Sequence, residues 1–300
     1  HSGAAIEDFL AQAAVEARSR GLQTAVEQGD SLRKSAGSAI ARHHAEDAME
    51  NPLAIEGFLP GVPVQHVMDR FSAAGGNEIA SGKFANPESS AALAVNSFGW
   101  FIERPACFPA LPGIEIDELV DLVDVEFTAR FPWAGGRHPW LDAIVQTQSK
   151  LIGIESKRFE PFRDKKNVSL SSAYDRPVWG DNMCRYERMR DQLRCGTVAF
   201  RHLDAAQLVK HAFGLVTEAR RRNRSAALFY IFAEPMSREG KPIPTSEFAK
   251  HRQEVSDFSA AVNGDEVLFY SGSYREWIST WPHDDEVRAH GRAILKTFSP

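Results

Sequence analysis

The chain has few cysteines, and the three present (Cys107, Cys184 and Cys195) form no Cys-x-x-Cys pair. That excludes a cysteine zinc site and a disulfide framework, and it fits a reducing cytosol. Long apolar runs are missing too. The richest, near "AALAVNSFGWFI" (residues 91–102), falls short of the roughly 20 residues a bilayer span needs. The N-terminus lacks a basic stretch followed by an apolar one, so no signal peptide is expected, and its first residues resemble a tag remnant. A Walker phosphate loop is lacking. In "GGNEIASGK" (75–83) Asn77 stands where the first Gly is needed and Phe84 where Ser or Thr is needed, so a nucleotide triphosphatase is excluded. There is no internal repeat or long low-complexity segment.

What remains is ordinary globular composition: 300 residues, 43% hydrophobic, 25% charged, net charge −5. The charge is unevenly placed. Residues 150–224 hold 17 Lys/Arg against 9 Asp/Glu, a local excess of +8 in an acidic chain. Solvated helix faces explain such a block most simply; a phosphate-binding face is the alternative.

The pattern predicts an N-terminal helical extension over 1–85: Ala/Glu/Gln/Arg-rich helices, then a Pro- and Gly-containing connector. His43, His44, Glu46 and Asp47 within it resemble metal ligands in composition only, because adjacent helical side chains diverge by about 100°. A second unit spans 86–300. It opens with a helix capped by Asn86 with Pro87 at its first position. The safer role for Ser89 and Ser90 is also capping, and that for Asn96 is a hydrogen bond to neighbouring backbone. Strands follow at 122–131, 140–147 and 151–159, joined by short turns, which favours antiparallel pairing. Helices at 181–195 and 203–222, a strand at 225–235, a helix at 247–261, a strand at 266–272 and a helix at 284–297 complete the chain. A helix between two strands of one sheet implies a parallel crossover. The expected fold class is therefore α/β: a mixed central sheet flanked by helices.

The segment "HPWLDAIVQTQSKLIGIESKRFEPF" (138–162) places charges in the two most apolar strands. Such groups are seldom buried unless paired or metal-bound. Glu155 and Lys157 are two apart and share a strand face. If the short turn near Gln148 pairs the strands, Asp142 is a close neighbour of Glu155. Two carboxylates there repel unless a cation separates them, and oxygen ligands suit Mg²⁺. The bland alternative is a Glu155–Lys157 ion pair at a sheet edge with Asp142 solvated.

These residues, in this order of elements, resemble the PD-(D/E)XK nuclease superfamily, the restriction-endonuclease-like fold, over roughly 86–235. The wider pattern also resembles uncharacterised bacterial proteins described as restriction endonucleases. Pro139 lies three residues before Asp142 rather than beside it, a departure from the family formula. The resemblance implies a Mg²⁺- (or Mn²⁺-) dependent endonuclease acting on DNA, with RNA not excluded, in the cytoplasm. Asp142 and Glu155 would be metal ligands, Lys157 the catalytic lysine, and Glu126 and Gln207 auxiliary residues. By analogy, a homodimer would pair two sites to cut both strands. The alternative is a non-catalytic nucleic-acid-binding or interaction module that keeps the fold. Arg158 and Glu160 are expected to be exposed, and the arginines of "ARRRNR" (219–224) to complement a helix dipole. The basic run "RFEPFRDKK" (158–166) is the better candidate for a nucleic-acid backbone contact.

Overall fold

The computed structural model describes residues 57–75, 81–86 and 88–300. The expected helices of residues 1–50, the His43–Asp47 cluster, Pro87 and most of the 75–83 loop lie outside the described residues. Among those described, no helix is long and apolar enough to cross a membrane. The three cysteines are free and exposed.

Residues 57–300 form one compact unit around a five-stranded sheet: β1 (Val120–Thr128), β2 (Trp140–Thr147), β3 (Lys150–Lys157), β4 (Ser225–Phe232) and β5 (Val267–Ser273), in that spatial order. β1, β2 and β3 form an antiparallel meander, because the β2–β3 turn is too short for any other return. β3, β4 and β5 are parallel, because helical crossovers separate them. The sheet is mixed, as expected.

Among the described residues, seven helices longer than a single turn cover its two faces: α1 (Val64–Ala74), α2 (Ser90–Phe98), α3 (Cys184–Cys195), α4 (Ala205–Arg221), α5 (Thr245–Val262), α6 (Tyr274–Ser279) and α7 (Asp285–Phe298). Strand alternation divides the core in two. Val125, Val145, Ile152, Ile154 and Phe229 face α1, α2, α6 and α7. Leu141, Ile144, Leu151 and Leu228 face α3, α4 and α5. β3 is the middle strand, so charges on it sit at the centre of the sheet, not at an edge.

Local signals account for most boundaries. Asp204 caps α4 through the Gln207 N–H, and Asp284 caps α7. The cap of α2 is Ser89, whose hydroxyl accepts the Ala92 N–H at 3.0 Å. Asn86, expected in that role, instead accepts the Glu88 N–H at 2.8 Å in the turn before it. Asn96 does bond backbone: it donates to Gly57 O and Ala92 O and accepts from Leu59 N–H. One close approach needs glycine. A Cβ on Gly214 of α4 would sit 2.6 Å from Ala129 O and 2.8 Å from Pro139 Cγ, so this contact brings α4 down onto the end of the meander.

Two elements were not legible as such. α1 falls in the expected connector, yet Val67 and Phe71 are core residues. α6 is a six-residue helix directly after β5, too brief to show a period. The arginines at the end of α4 do more than meet a dipole. Arg220 pairs with Glu266, Arg221 and Arg222 pair with Glu218, and Arg224 donates to Gln148 O.

Candidate active site

The site forms where β2 and β3 part. Their ladder ends at the Ala143–Ile154 pair. One step further, Asp142 and Glu155 would face each other. β3 instead runs on beside β4 as far as Lys157–Phe232, and β2 runs on beside β1 as far as Trp140–Thr128. In the opening, the Ser156 N–H leaves the ladder and donates to Asp142 Oδ2 at 2.6 Å.

Glu155 is 2% exposed and Lys157 17%. Lys157 Nζ touches Glu155 Oε1. His211 Nδ1, from α4, lies 3.1 Å from Glu155 Oε2. Neither carboxylate oxygen has a partner in hydrogen-bond geometry, so Glu155 is held by charge and proximity. Burial disfavours its ionisation, but Lys157 and His211 outweigh that and lower its pKa to about 2. Asp142 behaves oppositely. Burial, then the nearby Glu155 charge, push its pKa well above the ordinary carboxylate value, against the weaker pull of Lys157 and the Ser156 amide. Burial opposes the charge of Lys157, yet Glu155, Asp142 and Glu160 together raise its pKa. The site thus contains a carboxylate paired with an ammonium, and a second carboxyl that burial and the Glu155 charge push toward its protonated form.

Glu126 lies on β1 between the pairs Val125–Ala143 and Phe127–Leu141, opposite Asp142. Its φ is +50°, a left-handed conformation uncommon for Glu within a strand. Arg70 of α1 holds the local backbone, donating to Val125 O at 3.1 Å and Glu126 O at 2.8 Å. Backbone held in such a conformation is a feature of functional sites. Glu126, Asp142 and Glu160 line a groove of about 570 Å³, with Lys83, Asn86, Ser89, Ser90 and Arg163 on other parts of its wall. A larger hollow beside Arg252 and Ser271, about 840 Å³, is lined by none of these carboxylates.

The structure brings Asp142, Glu155 and Lys157 together and places Glu126 next to them. Gln207 is a turn away from the contact: its backbone N–H is bound by Asp204 Oδ1, and the side chain α4 presents to Glu155 is His211. Spacing could have suggested His211, since residues 207 and 211 are i,i+4 neighbours on one helix face. Two expectations need correction. Arg158 is 5% exposed rather than solvent-facing, with Nη2 donating to Phe298 O at 2.5 Å. Glu160 is half-buried and accepts the Arg158 N–H at 2.8 Å. Strand alternation explains the first, since residue 158 turns toward the face where α7 packs. The turn after β3 explains the second, since it folds Glu160 back over the strand end.

Among the described residues, no three His, Cys, Asp or Glu side chains are grouped to hold a metal ion. A hard cation does not need three. Mg²⁺ keeps several waters and takes one or two carboxylates beside a substrate phosphate. Asp142 and Glu155 offer oxygen donors only, and burial beside the Glu155 charge makes ionised Asp142 costly, a cost that a nearby divalent cation would relieve. The donor set therefore fits Mg²⁺ or Mn²⁺.

A family model described as "Restriction Endonuclease associating with ARP" matches residues 20–285 of the chain. No curated protein and no solved structure matches it.

Proposed function

Because the chain belongs to the family of restriction endonucleases associating with ARP, we propose that the opening between β2 and β3 is the active site of a metal-dependent DNA endonuclease. The observation that carries this is the convergence of Asp142, held by the Ser156 N–H, with Glu155 and Lys157 at a strand divergence bordering a groove.

Asp142 and Glu155 would hold Mg²⁺ or Mn²⁺. When bound, the ion supplies charge neutralisation at the scissile phosphate and acidifies a water. The chain's own residues do the rest. Lys157 places an ammonium beside the carboxylates, where it stabilises charge on the phosphoryl oxygens or orients the attacking water. His211 keeps Glu155 in place from α4. Glu126 borders the groove opposite Asp142 and is positioned to bind water or the cation. Gln207 is the polar residue one turn before His211 and is assigned to the substrate side. The groove receives the phosphodiester backbone, with Lys83 and Arg163 at its wall. Cutting both strands calls for two such sites, hence a homodimer, and the site belongs to a cytoplasmic defence enzyme.

Supercoiled plasmid incubated with Mg²⁺ tests this directly. The parent should nick or linearise it, while Asp142→Ala and Lys157→Ala should lose roughly a hundredfold or more in rate. Absence of metal-dependent cleavage of DNA and RNA by the parent, or full activity in both variants, rejects the assignment.

A second reading has its own observation. Glu155 already sits between Lys157 and His211, so the site is internally paired without a metal. That suits a binding or interaction module which retains the fold. Calorimetric titration with Mn²⁺ separates the two: the enzyme binds it through Asp142 and Glu155, the module does not.

A further inference from the structure

The catalytic strand reads "GIESKRF" (153–159), and its alternate residues do different work. Glu155 and Lys157 point to the site. Ser156 and Arg158 point to the opposite face and are themselves buried. A small polar residue buried in the middle strand of a sheet needs a partner. For Ser156 it comes from 118 residues away: its hydroxyl hydrogen-bonds the Tyr274 hydroxyl at 2.6 Å.

The sheet brings them together. Lys157, Phe232 and Ser273 lie abreast across β3, β4 and β5. The first residue of α6, Tyr274, therefore arrives beside Ser156. Its position is fixed from both sides. Ser273 and Glu276 form a reciprocal capping box, with Ser273 N–H to Glu276 Oε2 at 2.7 Å and Glu276 N–H to Ser273 Oγ at 3.1 Å. Tyr274 is fully buried, and Trp277 of the same helix stacks on Phe98 at 4.9 Å between ring centroids. Burial keeps the phenol in its protonated form by raising its pKa. Arg158 adds a second anchor, through Phe298 O of α7.

The Ser156 backbone N–H is the group that binds Asp142 Oδ2. We propose that Tyr274 is a positioning residue: by holding the Ser156 side chain from behind the sheet, it aims the Ser156 amide at Asp142 and sets the carboxylate for cation binding. This rests on Asp142 being a metal ligand, as proposed above. The physical reason is that Ser156 occupies the step at which β3 has left β2. There only β4 still pairs with β3 and the β2 side has no ladder, so the Tyr274 contact adds a restraint on Ser156 that pairing with β2 supplies elsewhere along the strand.

Tyr274→Phe removes one oxygen and keeps the ring. Ser156→Ala removes the other oxygen and keeps the amide. Two readouts apply. The first is the Ser156 amide proton shift in ¹⁵N-labelled metal-free protein, which reports the hydrogen bond to Asp142 whether or not the protein is a nuclease. It should move upfield in Tyr274→Phe. The second is the dissociation constant for Mn²⁺, measured by calorimetry with no nucleic acid present. It should rise about tenfold in each single variant, the lower end for a partner that orients a ligand, and no further in the double variant, because both act through one contact. An unchanged amide shift in Tyr274→Phe overturns the proposal. So does a double variant whose Mn²⁺ affinity falls by the product of the single losses. A parent that binds no Mn²⁺ and cuts no DNA rejects the nuclease reading, while the amide shift still decides whether Tyr274 positions Ser156. If Tyr274→Phe does not fold, Ser156→Ala must show the weakened Mn²⁺ binding with its melting temperature intact, or the proposal fails.

Discussion

Replacing Lys157 by Met removes an ammonium from a carboxylate that is 2% exposed, while keeping a flexible apolar stem of similar reach. In the parent, burial alone would raise the Glu155 pKa. Lys157 and His211 reverse this and lower it from 4.5 to about 2. Each unit corresponds to about 1.36 kcal/mol, so ionised Glu155 carries roughly 3 kcal/mol of stability at neutral pH. The sign follows from the depression. This stability is present above the ordinary carboxylate value and disappears as pH falls through about 2. Without Lys157 the burial penalty is met by His211 alone, and Glu155 either takes up a proton or remains a poorly compensated buried anion. Breaking a buried pair in this way costs about 3–5 kcal/mol, in line with the shift. For a domain of this size that is a drop in melting temperature of about 6–20 °C. The assay is thermal and urea unfolding at pH 7.5 with a chelator present. Glu155→Gln combined with Lys157→Met should recover most of the loss, because it removes the stranded charge. A Lys157→Met protein that melts within roughly 2 °C of the parent would refute the electrostatic account of the site.

Asp142→Asn should raise the melting temperature of metal-free protein by a few degrees. A carboxyl whose folded pKa is raised destabilises when ionised, and its contribution improves as pH falls; the same variant should lose the stabilisation that Mn²⁺ gives the parent, read by differential scanning calorimetry. Gly214→Ala should cost about 1–3 kcal/mol in urea unfolding, although Ala is the better helix former, because its Cβ would meet Ala129 O at 2.6 Å. Buried His290, bonded to Asn96 O, has its pKa lowered to about 4 mainly by burial. Protons then bind the unfolded chain first as pH falls below about 6.5, so His290→Gln should flatten the pH dependence of unfolding free energy between pH 6.5 and 5 by about 1.36 kcal/mol per unit. An identical slope in parent and variant would count against that burial.

Much of this fold was legible because its elements carry strong local signals. β2 and β3 are apolar strands joined by a turn too short for anything but a hairpin. α4 has an acidic cap, a long apolar face and a basic end. α1 was not legible, because its core contribution is two residues, Val67 and Phe71, in a segment bracketed by Pro and Gly. The burial of Arg158 is not legible either, since an Arg after a charged motif reads as solvent-facing. Only the packing of α7 behind the sheet supplies the Phe298 carbonyl that allows it to be buried.

At the site itself the division is similar. Period-two geometry is a property of the chain, so Glu155 and Lys157 had to share a face once residues 151–159 formed a strand, and the turn near Gln148 had to bring Asp142 close. How the charges are balanced is not local. That β2 and β3 separate after Ala143–Ile154, that His211 rather than Gln207 meets Glu155, that Glu126 stands opposite Asp142 in a left-handed conformation, and that Ser156 is held by Tyr274 all depend on contacts between residues far apart in sequence. Coulomb interactions and burial act through space, so the pattern of residue types named the groups, and only the packed sheet decided which carboxylate meets an ammonium and which is buried beside another carboxylate.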